Sequence, residues 1–535
     1  MNTVAILLML GFLIAATSAT AADYYLRASG DDNAAGTSAE SAWKTIERLQ
    51  KAKLESGDRV LLEGGASFKG SLELKSGGTK EKPIVITSFG DGVASIDAGD
   101  GDGIKAHNLG GIELRKLKIT GSGREKNKGE GISFYNDLAG DVKLDRIVID
   151  EVEVSGFGKH GVTIGGYNGK SGFRGVRVTK TVFHSNGHAG LSMWGYCPEE
   201  FKGWSHEDVY VGHCKAYDNS GLPEKMDNHS GSGIVVGGVD GLVIEHCQAW
   251  NNGWLCNAKV GGPVGIWAWD SNRALIQFCE AHHNRTGKGS LDGGGFDFDG
   301  GVTNSIMQFN YSHENDGAGF LICQYKGARP FHNNVVRYNI SQNDGRQHGY
   351  GGIHFYTEPD GAIRNVDVYN NTIYMEKAPA DVPCGIKVQR GLKDVRIMNN
   401  LIVVKGVPAI VSIPKDAGVS YFGNCYHLLD GAVMADWTGK KFESLEAWRK
   451  ETGQERLNGE DIGCSAEPKL AQPGGGKIVD GDLTKVDAYR LKEESPLIGK
   501  ALDLKKLFGI DTGPRDFHGT RTGSAIGADE GGKIK

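Results

Sequence analysis

The chain has 535 residues, 39% of them apolar and 24% charged, so it can bury a large core and is not a disordered segment. Sixty Lys and Arg against 66 Asp and Glu leave a formal charge of −6, without the basic surplus of a nucleic-acid binder. Glycine, at 81 residues, is roughly twice its usual share, while proline stands at 14 and no Gly-X-Y period exists; collagen is excluded and many tight turns are expected.

Residues Val4 to Ala16 are almost wholly apolar, too few for a membrane span. The small residues Ala19-Thr20-Ala21-Ala22 before Asp23 offer a cleavage site, although no Lys or Arg precedes the apolar run. Residues 1–22 therefore read as an export signal, giving a secreted or periplasmic protein, and no later segment is apolar and long enough to span a bilayer. Next, Trp43–Leu54 has the pattern of an amphipathic helix, followed by short strands; such a helix suits the open end of a repeat stack.

From Gly103 onward one pattern recurs, a glycine followed by an alternating strand: GIKAH, GISFY (from Gly131), GVTIG (Gly161), GLSMW (Gly190), GIVVG (Gly233), GIWAW (Gly265), GFDFD (Gly295), GFLIC (Gly319), GIHFY (Gly352) and GIKVQ (Gly385). The spacing is 24 to 43 residues, about 31 on average, in the range of solenoid repeats. Each unit carries a second strand signal, such as GLVIEHCQAW or NVVRYNISQN, and no helical period separates them. Strand–turn–strand units without helices predict an all-β parallel β-helix, its coils about 4.8 Å apart. Positions one and three after each glycine are apolar in every unit from Ile132/Phe134 to Ile386/Val388, as an inward column requires. A second column reads Cys214, Cys247, Cys279, Asn310, Asn339, Asn371, Asn400, with Asn219, Asn252, Asn284, Asn315 and Asp344 five places beyond its first five members. Amides stacked at a bend can bond one another along the axis, so the three cysteines read as small buried fillers with free thiols rather than as disulfides between coils. The repeats give one body over 23–435. Residues 436–535, with a short helix near Ser444–Trp448, form an irregular extension packed on the last coils.

The opening YYLRASGDD…SAWKTIERL…SGDRVLLEGGASFKGSL, the coil repeats and the close SPLIG…RDFHG…IGADE resemble the secreted right-handed parallel β-helix proteins of the pectin-lyase-like superfamily. The resemblance implies a right-handed solenoid with an N-terminal capping helix and a loop-rich tail, and a carbohydrate-active protein. That group includes polysaccharide lyases, glycoside hydrolases and epimerases. The NTD, DD, GHG and RIK series of polygalacturonases is absent from this chain.

Function is expected on the outward positions, two and four of each strand. They concentrate Trp194, Trp267, Trp269 and Tyr356 around Asp297 and Asp299, with His354 and Lys387 further along. Indole faces suit sugar rings, and a long β-helix face suits a polymer. Loops before these strands add Glu224, Asp227, His229, Lys259, Lys288, Asp292, Arg346 and His348, while His282, His313, Glu314 and Asp316 are expected near the same edge. Glycoside hydrolysis needs two carboxyl groups, about 5–5.5 Å apart for retention or 6.5–9.5 Å for inversion. Asp297 and Asp299 on one strand have α-carbons about 6.6 Å apart, and crowding should raise one pKa; Asp270 and Asp292 are alternative partners. Two other functions stay open. One is β-elimination on a uronic-acid polymer, with Lys387, Arg346, His348 or His354 as base or clamp and the aspartates holding Ca²⁺. The other is non-catalytic carbohydrate binding, as in an adhesin. No HExxH or CxxC pair suggests zinc; a monomer acting on a polysaccharide or oligosaccharide without a cofactor is expected.

Overall fold

The computed structural model describes residues 21–196, 198, 202–359, 361–414 and 418–531; the apolar run read as an export signal lies outside them. The described chain is an all-β, right-handed parallel solenoid. Glycine-led strands stack into one sheet of fourteen, from Leu72–Leu74 to Lys440–Phe442, parallel throughout except for the last pairing. Each stretch read as a single second strand is two: Val239–Glu245 then Gln248–Trp250, and Asn272–Gln277 then Glu280–His282. These pairs build a 25-stranded sheet, bent along the seam between their members.

Packing follows from register. Ile132, Val162, Leu191, Ile234, Ile266, Phe296, Phe320, Ile353 and Ile386 pair in turn as Cα partners, and all are at most 1% exposed. The leading glycines do not serve as turn residues. An added Cβ would stand 2.7 Å from the Gly190 carbonyl oxygen at Gly161 and 2.5 Å from that of Gly265 at Gly233, so glycine is needed there for one coil to approach the next.

The seam is held by side-chain ladders. Residues just before it, His246, Phe278, Phe309 and Tyr338, take left-handed φ of 53°, 54°, 56° and 50°, unfavourable for such side chains unless neighbours fix them. The next residue on each coil supplies the fixing bonds: the Asn310 Nδ2 donates to Asn339 Oδ1 at 3.1 Å, Asn339 to Asn371 at 3.0 Å and Asn371 to Asn400 at 2.9 Å. Cysteines are rungs of the same ladder. The Cys247 N–H donates to Cys279 Sγ at 3.4 Å and the Cys279 N–H to Asn310 Oδ1 at 3.0 Å, and all three thiols are free and buried. The second column bonds likewise from Asn186 through Asn219, Asn252, Asn284 and Asn315 to Asp344.

At the start of the solenoid α1 (Ile46–Gln50), shorter than the stretch Trp43–Leu54, is capped by Thr45 Oγ1 accepting from the Arg48 N–H and buries Ile46 and Leu49. Near the other end α2 (Leu445–Thr452) runs from Ser444 to a left-handed Gly453 and sets the fully buried Trp448 against Tyr421, Tyr426 and Trp437. Beyond it the chain crosses the outer face of the larger sheet, with Arg515 over the stacked rings of Phe278 and Phe309. Among the described residues no helix is long and apolar enough to cross a membrane.

Candidate active site

The outward face of the glycine-led sheet aligns its side chains coil by coil. One row reads Ser192, Val235, Trp267, Asp297, Leu321, His354, Lys387. The row two residues on pairs Gly165 with Trp194, Gly237 with Trp269 and Cys323 with Tyr356, and Asp299 stands between Trp269 and Cys323. Twice a tryptophan lies across a glycine of the preceding coil. A Cβ on Gly165 would meet the Trp194 ring at 2.5 Å, and one on Gly237 would collide with Trp269. Both indoles are half-buried, presented flat against the sheet.

Trp267 differs from the open platform expected of it. It is 5% exposed, donates its Nε1–H to Ser232 Oγ at 3.2 Å and packs with Ala189, Val235 and Val264, while His229 sits edge-on at 4.9 Å. The loop before Gly233 thus covers this part of the sheet and makes Trp267 a secondary core residue. A second small cluster, Ala318, Leu321 and Tyr350, covers the far side of the aspartates.

Between these clusters lie three carboxyl groups. Asp297 is 3% exposed and its Oδ1 has no hydrogen-bond partner; burial, with Asp299 and Asp292 nearby, pushes its carboxyl well above the usual range. Asp299 is half-buried, accepts from the Gly300 N–H at 2.7 Å and from the Cys323 thiol, and is pushed up to about 6, mainly by burial. Asp292 is also raised by burial, but hydrogen bonds from the Tyr350 hydroxyl, at 2.8 Å to Oδ1, and the Gly262 N–H favour its charged form. The Tyr350 ring lies 4.8 Å from that of His354, a buried imidazole held far below its ordinary pKa by burial and by Lys387.

Other expected site residues are engaged elsewhere. Asp270 is 3% exposed and forms an ion pair with Arg329, whose guanidinium stacks 4.8 Å over Trp204. Lys387 Nζ donates to the Gly349 carbonyl at 2.7 Å, and Tyr356 is half-buried beside Cys323. His313 and Glu314 belong to the other sheet and its turn. His313 stacks between Tyr311 and His282, and Glu314 pairs with Arg346 at 2.7 Å. Among the described residues Glu280, His282 and His313 are the trio whose ligand-type atoms all lie within 4.8 Å of one another. Their geometry is that of a docking point. Glu280 accepts the N–H groups of Val479 at 2.9 Å and Gly481 at 2.8 Å; against its burial, the hydrogen bond from His313 and then these two hold its carboxyl down at about 2. The two imidazoles are stacked 14° from parallel, with His282 Nδ1 3.0 Å from His283 Nδ1 and His313 Nε2 3.3 Å from Glu280.

An open groove of about 640 Å³ continues the same face over earlier coils, lined by Glu73, Lys105, His107, Glu130, Tyr135, His160 and Trp194 among others. His107 stacks on Tyr135 at 5.5 Å, Tyr135 meets Trp194 at 5.8 Å, and His160 Nδ1 lies 3.0 Å from Glu130. Most residues of this groove are not among those singled out from the sequence, although Lys105 and His107 stand at positions two and four of GIKAH, outward by the same alternation.

A family profile described as "Right handed beta helix region" matches residues 131–336 and 224–373. A lacto-N-biosidase of Bifidobacterium longum subsp. longum is 26% identical over 465 aligned residues, covering 68% of this chain; the chain spans just over a quarter, 28%, of that relative's length. Among solved structures, a GH136 lacto-N-biosidase of Eubacterium ramulus is 19% identical, covering 70% of this chain and 68% of that one with a TM-score of 0.48. The pectate lyase Pel9A is 17% identical over 96% of this chain and 97% of its own, with a TM-score of 0.39. The chain is a right-handed parallel β-helix protein, as its resemblance to the pectin-lyase-like group implied.

Proposed function

We propose that this protein is an exported glycoside hydrolase that binds an oligosaccharide or polysaccharide along the glycine-led sheet and cleaves it at Asp292, Asp297 and Asp299. The observation that carries this is the gathering of three carboxyl groups around one strand, beside two glycine-backed tryptophans and an open aromatic groove. Asp299, protonated up to about pH 6, donates its proton to the glycosidic oxygen. Asp292, oriented by Tyr350, is the ionised partner that attacks the anomeric carbon or activates water. Asp297, buried beside both of them, is held neutral and is not the ionised group. The lacto-N-biosidase relative supports a neutral oligosaccharide as substrate. Such chemistry needs no metal, and turnover is expected to survive EDTA.

Hydrolysis is favoured over elimination because three of the four groups considered as base or clamp are committed: Lys387 to Gly349, Arg346 to Glu314, and His354 buried beside Tyr350 and Gln389. The test is a panel of neutral and acidic glycans, including an aryl lacto-N-bioside, assayed for reducing ends and for unsaturated products. Asp299→Asn and Asp292→Asn are each expected to lower kcat on the order of 10²–10⁴-fold with unchanged circular dichroism, and Asp297→Asn less. Full activity in Asp299→Asn, or unsaturated products from the wild type, overturns the reading. Binding without product from any glycan leaves the adhesin role in its place.

A further inference from the structure

Eight free cysteines are described, and their surroundings differ. Cys214, Cys247 and Cys279 are fully buried rungs of the seam ladder, their sulfurs already bonded to backbone on their own and neighbouring coils. Cys256 lies against Ser290, Cys323 bonds Asp299 and Cys384 is buried. Cys425 and Cys464 stand apart. Cys425 opens the strand Cys425–Leu429, pairing with Leu401 on one side and with Cys464, as a direct parallel partner, on the other. The Tyr426 N–H donates to the Cys464 carbonyl at 2.9 Å and the Cys464 N–H to the Asn424 carbonyl at 3.0 Å, locking that register.

We propose that Cys425 and Cys464 are a disulfide site, and that their bond clasps the C-terminal segment onto the last coil. Directly paired residues on parallel strands point to the same side, with backbones about 4.8 Å apart, inside the 4.4–6.8 Å α-carbon window of natural disulfides. The Cys425 sulfur faces the segment that carries Cys464, 3.7 Å from the Ala466 carbonyl oxygen. Access is also right: Cys425 is buried, whereas Cys464, after the left-handed Gly463, is half-exposed and meets solvent first. The oxidant is a disulfide, RSSR, of the kind that maintains thiol oxidation outside the cytoplasm. The Cys464 thiolate attacks one sulfur, giving a Cys464–SR mixed disulfide and RSH; the Cys425 thiolate then displaces the second RSH. Two protein S–H bonds and one reagent S–S bond are lost, one protein S–S and two reagent S–H bonds form, and two electrons pass to the reagent. The closed loop, residues 425 to 464, contains α2 and the buried Trp448, so unfolding of this end is restrained by chain connectivity as well as by packing.

The experiment uses the purified full chain, incubated with oxidised or reduced glutathione, acid-quenched, denatured, alkylated and digested without reduction. The expected result is a peptide pair joined through Cys425 and Cys464 only in the oxidised arm, with Cys214, Cys247 and Cys279 alkylated in both. A higher Tm and slower proteolysis after residue 464 accompany it, reversed by reductant and absent in both Cys464→Ser and Cys425→Ala. Alkylation of Cys425 and Cys464 in the oxidised folded sample overturns the proposal. So does a linked pair that leaves Tm and proteolysis unchanged. None of these readouts depends on the glycan chemistry above.

Discussion

Asp297 sits where a side chain of its kind is least at ease: on the outer surface of a strand, closed in by loop-borne clusters, with one oxygen unbonded. Its folded pKa lies above the unfolded value near 3.9. The folded state therefore holds the proton longer, and stability is lost as pH rises from the unfolded value through the folded one. Asp297→Asn keeps the shape and removes the need to take up a proton on folding. It is expected to raise unfolding free energy by roughly 1–3 kcal/mol at pH 7, with little gain at pH 4; a gap that does not widen with pH in urea titrations counts against this. The DGGGFDFDGG string made the acids legible as a cluster, since alternation alone put Asp297 and Asp299 on one face. That long loops could close over this face is readable from their lengths; which residues close over the acids is not. Tyr350 reaches Asp292 across 58 residues and Arg329 reaches Asp270 across 59, and such loop-borne partners leave no periodic trace.

At the scale of a strand and its neighbours, the glycine-led register was the most readable feature, because each inward column repeats the same two apolar places. Many glycines do make turns with left-handed φ, as their abundance suggests, but two sets do something else: those leading the strands permit close coil contact, and those at the fourth strand position, Gly165 and Gly237, make room for an indole. Gly237→Ala keeps the backbone conformation accessible but forces Trp269 off its bed. The expected outcome is at least a several-fold loss of affinity for long glycans with Tm nearly unchanged, read by titration calorimetry on the acid-disabled Asp299→Asn protein. Equal affinity in both would mean that Trp269 is not a sugar platform.

Across the whole molecule, a stack of coils has two open ends and one long apolar flank, and this chain covers them with segments the repeat does not predict. The tail brings Val479 and Gly481 to Glu280 and Arg515 over Phe278 and Phe309. His313 belongs to the sheet that this tail covers, not to the strand of Asp297. A chain ending at residue 463 should leave a buried carboxylate without its donors and a ladder of rings in water. It is expected to bind a hydrophobic dye and unfold at lower temperature than the intact protein; identical melting would show that the tail is dispensable. The spacing of the tryptophans carries a further consequence. Trp194, Trp269 and Asp299 are separated by whole rungs, each about 4.8 Å, so the scaffold acts as a notched ruler for its ligand. Gain or loss of a repeat between platform and acids would move the cut by a fixed notch, a stepwise change in product size that reshaping a surface loop cannot imitate.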